Sequence, residues 1–128
     1  MPLQVTAIMI GVEELARSKK FYREGLGCTI DQDHPNFMSF NLGDGSSSLA
    51  LYEREAAAQY AGVSSEGSGF RGVSFHFSVP SREGVDEVMG KAVAAGGGLV
   101  KEAAAVQWGY SGYFSDPDGY LWKVASAS

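Results

Sequence analysis

The order of apolar and polar positions predicts the same series of elements in each half of the chain. In the first half, residues 3–10 are rich in β-branched side chains and predict a strand. Residues 13–24 predict a helix, because apolar positions recur at helical spacing until Gly25 and Gly27 end it. Three further strands are expected over residues 28–31, 37–42 and 48–52.

The second half repeats this order. Residues 72–79 predict a strand, and Ser81 is expected to cap a helix that extends to Ala95. Strands are then expected over residues 99–106, 110–115 and 120–125. We therefore predict an α+β fold in which duplicated βαβββ units form two curled mixed sheets around a cavity, with helices outside.

The segment between the halves lacks a clear period. Residues 53–71 predict an irregular linker, in which residues 56–58 could form one helical turn. A shorter loop is expected over residues 33–36. The predicted organisation is one domain over residues 1–128, with internal repeats at about 3–52 and 72–125.

Composition places the chain among ordinary globular proteins. Hydrophobic residues make up 45% of the 128 positions and charged residues 20%. The net charge of -5 argues against nucleic acid as a partner. Cys28 is the only cysteine, which is typical of a reducing compartment. No signal peptide or membrane-spanning stretch is recognised, so we expect a cytoplasmic protein without a membrane partner.

The end of the chain carries a distinctive hairpin. Asp116-Pro117-Asp118-Gly119 suits a type I turn between two alternating strands. Residues 112–122 (GYFSDPDGYLW) and the helix at residues 14–27 (ELARSKKFYREGLG) resemble the closing hairpin and first helix of the vicinal oxygen chelate superfamily. This superfamily includes glyoxalase I, bleomycin resistance proteins and extradiol dioxygenases. The resemblance implies a cavity in each curled sheet and, in the enzymes, a divalent metal held by His, Gln and Glu ligands.

The metal ligands that the resemblance implies are replaced here. Their positions fall at Ala7, Ala50, Ser74 and Lys123, and these side chains are poor metal ligands. A shift of two residues along the strands adds only His76 as a good ligand. We therefore expect no metal and no cofactor.

Strand alternation selects candidates for ligand binding. Phe75 and Phe77 are expected to pack on a helix, which leaves His76 on the cavity face. The same argument directs Trp122 toward the helix and Lys123 toward the cavity. The candidate ligand-binding residues are His76, Lys123, Ser74, Tyr52, Trp108, Tyr113 and Asn41.

Two of these residues have alternative interpretations. His76 is either hydrogen-bonded to a neighbouring strand without a further role, or it contacts a ligand as a hydrogen-bonding or acid–base group. Lys123 is either paired with a carboxylate such as Glu53 or Glu55, or it is a cavity cation suited to an anionic or carbonyl ligand.

These observations favour a metal-independent protein that binds or sequesters a small molecule. The first alternative is a divergent metal-dependent lyase, isomerase or dioxygenase of the same superfamily. The second is a metal-free enzyme that uses His76 and Lys123 for proton transfer. The third is a scaffold without a small ligand. The resemblance also implies a homodimer.

Overall fold

The chain forms two units, residues 1–66 and 67–128, each with its own sheet. The computed structural model describes residues 5–67, 70–71, 73–107 and 109–128. In the first unit the helices are α1 (Leu15–Lys20), which continues into a π-helical turn at Phe21–Gly25, and α2 (Arg54–Ala61). The strands are β1 (Ala7–Val12), β2 (Thr29–His34), β3 (Phe37–Asn41) and β4 (Ser48–Glu53).

The first sheet has the order β1-β4-β3-β2, with β1 parallel to β4 and the other pairs antiparallel. Ile10, Leu51 and Met38 lie side by side across three strands and are buried. Phe21 and Tyr22, at the end of the first helical segment, are fully buried as well. The alternating strands and the apolar stripe of the helix therefore share one core.

The second unit repeats this arrangement. It contains β5 (Ser74–Ser78), α3 (Arg82–Ala94), β6 (Gly98–Val106), β7 (Gly109–Ser115) and β8 (Leu121–Ser126). The sheet order is β5-β8-β7-β6, with β5 parallel to β8. The predicted fold class, two mixed four-stranded sheets built from βαβββ units, is confirmed.

The apolar face of the second sheet packs on α3. Phe114 and Val124 are fully buried, and Trp122 is nearly so. The Trp122 ring lies 4.8 Å from Phe75 and 6.1 Å from Phe77 between ring centroids. The predicted direction of Phe75, Phe77 and Trp122 is confirmed, because α3 covers the same side of the sheet.

The N-terminus of α3 forms as predicted. The Ser81 hydroxyl accepts a hydrogen bond from the Gly84 amide at 3.1 Å and satisfies a donor in the first turn. Val85, Met89 and Ala92 form the buried side of the helix.

The prediction of an irregular segment after β4 is wrong for most of α2, an eight-residue helix that includes the helical turn expected at residues 56–58. The Glu53 carboxylate accepts hydrogen bonds from the amides of Glu55 and Ala56, so it caps the helix. Gly62 ends the helix in the left-handed conformation, with a φ of 77°. Capping at both ends thus stabilises a short helix that periodicity did not reveal.

The loop expected over residues 33–36 is also shorter than predicted. β2 extends to His34, and Pro35 and Asn36 alone form the turn into β3. The reason is cross-strand pairing, since Asp33 and His34 lie opposite Met38 and Phe37.

Candidate functional site

The polar face of the second sheet, opposite α3, brings several candidate residues together. His76 on β5 lies directly opposite Lys123 on β8, and Lys123 lies directly opposite Tyr113 on β7. Directly opposed residues project from the same face, on strands about 4.8 Å apart. Ser74 shares this face because it lies two residues before His76.

The side chains on this face are close enough to act together. The ring centroids of His76 and Tyr113 are 6.3 Å apart, with the rings nearly perpendicular at 87°. The Ser74 hydroxyl oxygen lies 2.8 Å from His76 Nε2. His76 is exposed, whereas Tyr113 and Lys123 are half-buried. A molecule lying on this face would therefore reach an imidazole, a phenol and an ammonium group at once.

One interpretation of His76 expected a hydrogen bond to a neighbouring strand, whereas the observed partner is Ser74 on the same strand. A hydroxyl can rotate to donate or accept, so the neutral imidazole is satisfied at Nε2 in either tautomer. The second ring nitrogen, Nδ1, then remains for a ligand. The hydrogen bond orients the ring on the polar face and is compatible with ligand binding.

Lys101 belongs to the same face and was not predicted. Lys101 is on β6 and lies directly opposite Tyr113 of β7. His76, Lys123, Tyr113 and Lys101 thus lie side by side across β5, β8, β7 and β6, and we call them the central row. Two register shifts in β6, on either side of Lys101, explain the omission, because alternation along a bulged strand does not give the correct face.

Within its own unit, Lys123 forms no ion pair with any described residue. Glu53, one of the two carboxylates considered as a partner of Lys123, accepts backbone hydrogen bonds at the start of α2. The pairing of Lys123 with Glu53 or Glu55 stays a prediction, because both glutamates belong to the first unit.

Tyr52 lies in the first unit, in a series of aromatic rings. Its ring centroid is 6.0 Å from Phe37 and 6.4 Å from Tyr60 on α2. A Cβ on the neighbouring Gly11 would lie 3.1 Å from the Arg54 Cα, so glycine permits the close approach of α2 to this end of the sheet. Tyr52 is thus held by aromatic packing in its own unit.

Asn41 lines a cavity of about 420 Å³ at one end of the first sheet. Its side-chain oxygen accepts a hydrogen bond from the Gly43 amide at 3.1 Å. The cavity is lined by Leu26, Gly27, Cys28, Thr29, Asn41, Leu42 and Gly43. These side chains carry no charge near neutral pH, so the cavity offers less chemistry than the central row. Trp108, the remaining candidate, lies outside the described residues.

Cys28 in this cavity is expected to react slowly. Burial raises the pKa of its thiol from 9.0 to about 11, which lowers the fraction of reactive thiolate near pH 8. We expect iodoacetamide to alkylate the native protein at least about tenfold more slowly than the urea-unfolded protein. Mass spectrometry at pH 8 measures both rates on this single cysteine. Equal rates in the two states would contradict the raised pKa of the half-buried thiol.

The residues at the implied metal positions do not fit a divalent metal. Ala7 and Ala50 have no donor atom, Ser74 is engaged with His76, and Lys123 carries a positive charge. Among the described residues, no group of three His, Cys, Asp or Glu side chains is placed to hold a metal ion.

The closing hairpin sets the position of Lys123. The Gly119 amide donates to the Asp116 carbonyl at 3.0 Å, which confirms the predicted turn. The Asp116 carboxylate is buried and accepts hydrogen bonds from the amides of Asp118 and Tyr120, both at 2.9 Å. Lys123 follows on β8, so the turn fixes the register that places it opposite Tyr113.

The sequence matches the family described as the Glyoxalase/Bleomycin resistance protein/Dioxygenase superfamily over residues 4–124. The comparison with curated proteins gave no match. Among the described helices, none is long and apolar enough to cross a membrane.

Solved structures have the same fold. A glyoxalase-related enzyme from Fulvimarina pelagi is 30% identical, with a TM-score of 0.86 over 96% of this chain and 87% of that chain. A glyoxalase/bleomycin resistance protein/dioxygenase family enzyme from Burkholderia phytofirmans is 21% identical, with a TM-score of 0.85 over 96% and 98% of the two chains. A lactoylglutathione lyase from Agrobacterium tumefaciens is 18% identical, with a TM-score of 0.67 over 98% and 94%. At 21% and 18% identity, the second and third structures show only that the fold is shared.

Proposed function

The chain belongs to the glyoxalase/bleomycin resistance protein/dioxygenase superfamily, and we propose that it binds a small molecule on the polar face of its second sheet without a metal ion. The observation that carries this proposal is the placement of His76, Lys123 and Tyr113 on adjacent strands. These side chains supply a hydrogen-bonding ring, a cation and a phenol without the help of loops.

The rigidity of the sheet supports binding. Strand pairing fixes the backbone under each side chain, and the opposite face is held by Phe114, Trp122 and Val124 in the core. A site on a packed sheet loses little conformational freedom when a ligand binds. This suits the capture or sequestration of a small molecule.

Metal independence is supported by the chemistry of the donor set. Two alanines, one serine and one lysine occupy the positions where the superfamily's enzymes are expected to hold a metal. A lysine ammonium at one of these positions would repel a divalent cation.

A second candidate function is metal-free acid–base catalysis. It is favoured by the direct opposition of His76 and Lys123, which places an imidazole next to an ammonium group. Turnover of a bound compound by metal-free protein, lost in His76→Ala, would establish this alternative.

The superfamily resemblance also leads us to propose a homodimer. Sedimentation equilibrium on the purified protein tests this proposal, and a mass near 13.6 kDa at all concentrations would contradict it.

The binding proposal is tested by NMR on metal-free protein titrated with a panel of planar small molecules, neutral and charged. We expect the compounds that bind to shift amide resonances of residues 74–78, 111–115 and 121–125. In His76→Ala the affinity of these compounds should fall by roughly three- to tenfold, the effect of losing about one hydrogen bond.

His34→Ala is the matched control, because His34 is the other histidine and lies on β2 of the first sheet. It should leave binding unchanged. Elemental analysis of untagged protein accompanies the titration. A tightly bound divalent metal that is required for binding, or shifts confined to the first unit, would contradict the proposal.

A further inference from the structure

We propose that the ligand of the polar face is a planar organic anion, an aromatic carboxylate, held by Lys123 and Lys101 on either side of Tyr113. This inference rests on the proposed function and names the class of ligand for the same site. Its basis is the distribution of charge on the second sheet.

The central row is basic, although the protein as a whole carries a net charge of -5. Lys123 and Lys101 both lie directly opposite Tyr113, on either side of it. The residues paired across the sheet on one side of the row are Ser74, Leu121, Ser115 and Gly98, and those on the other side are Ser78, Ala125, Ser111 and Ala104. None of these paired positions carries a carboxylate; Glu102, which follows Lys101 in the shifted part of β6, is the acidic residue beside the row and forms no ion pair with a described residue of this unit. The row is therefore a local cationic patch that attracts anions.

The two lysines of the row differ in their pairing from Lys19 and Lys91. Lys19 is paired with Asp33 at 2.7 Å, and Lys91 with Glu87 at 2.9 Å. Within the second unit, neither Lys123 nor Lys101 forms an ion pair with a described residue. Lys123 is also half-buried in the middle of the row. A partly desolvated ammonium without a carboxylate gains more from an anionic ligand than an exposed one does.

Aromatic groups in the row favour a planar ligand. Tyr113 lies between the two lysines, and the His76 ring stands perpendicular to it at 87°. A planar ring can lie against one of these side chains while its carboxylate reaches an ammonium group. Nε2 of His76 is engaged by Ser74, so His76 offers its other ring nitrogen, Nδ1, to the ligand. The row thus offers charge for the carboxylate and aromatic surface for the ring.

Benzoate and benzamide form a matched pair of probes, because they have the same ring and nearly the same shape but differ in charge. We expect benzoate to shift the amide resonances of the row in metal-free protein and to bind at least about tenfold more tightly than benzamide. Benzoate affinity should also fall as sodium chloride is raised from about 20 to 200 mM, because the lysines are partly exposed.

Substitutions of single lysines identify which side chain causes the preference for benzoate over benzamide. In Lys123→Met, which keeps most of the aliphatic chain, the preference for benzoate should fall to about threefold or less, whereas Lys123→Arg should retain it. Lys101→Met should lower it by a smaller factor, since Lys101 is more exposed. Lys91→Met on α3 is the matched control and should change nothing.

The outcomes separate this inference from the proposed function. Equal binding of benzoate and benzamide on the row overturns the anionic class and leaves small-molecule binding intact. An unchanged preference in Lys123→Met also overturns it, because the charge would then lie elsewhere. If neither probe shifts the row, the inference fails, and binding of a neutral compound from the wider panel to the same face decides the proposed function independently.

Discussion

Phe114→Ala is expected to lower the free energy of unfolding by about 3–5 kcal/mol, the largest stability effect we predict. Phe114 is fully buried under the polar face, and its ring is parallel to that of Trp122 at 3° with centroids 6.3 Å apart. The substitution removes this contact and leaves a cavity against α3, which a sheet paired on both sides cannot collapse to fill.

Phe70→Ala is the matched control for this prediction, because the Phe70 side chain is 70% exposed. The same change there should alter stability by no more than about 0.5 kcal/mol. Urea unfolding followed by tryptophan fluorescence measures both variants. A loss below about 1 kcal/mol in Phe114→Ala would show that the core of the second unit is not packed as described.

Asp116→Ala is expected to cost about 2–4 kcal/mol and to disturb the central row as well. The Asp116 carboxylate is 2% exposed and accepts from two backbone amides, those of Asp118 and Tyr120. Alanine leaves both donors without this acceptor next to the turn. β8 follows the turn directly, so a distorted turn should also shift the backbone resonances of Lys123 on β8.

Asp116→Asn separates geometry from charge, since asparagine keeps the side-chain oxygen that both amides use. We expect it to lose less than half the stability lost by Asp116→Ala. Equal losses in the two variants would mean that the negative charge of Asp116, and not its position as an acceptor, stabilises the hairpin. Thermal unfolding with NMR spectra of the folded state gives both readouts.

Much of the second unit was predictable because its signals are local. Ser81 identifies the start of α3 through its own hydroxyl, and Phe75 and Phe77 identify the apolar face of β5 by alternation. The closing turn follows from the four residues that form it, and Gly119 adopts a positive φ of 89° there. In each case the residues that carry the signal are the residues that make the contact.

The candidate site was predictable only in part. Alternation placed His76 and Lys123 on the correct face of their strands. Their direct opposition depends on the parallel pairing of β5 with β8, which joins two residues that are 47 positions apart in the sequence. Lys101 was missed because the register of β6 shifts on either side of it. The extent of α2 beyond the expected turn at residues 56–58 was missed because its capping residue is a glutamate, which is not among the preferred caps.

The sequence alone was sufficient for the family, the duplicated order of elements, and the faces of β5 and β8. These properties depend on residue identity and on periodicity within one element, and both can be read along the chain. The tertiary structure was needed to show that His76, Lys123, Tyr113 and Lys101 form one row, and that Ser74 orients the imidazole. Register between distant strands is set by the packing of the whole sheet, so the basic character of this face emerges only when four separate strands are paired.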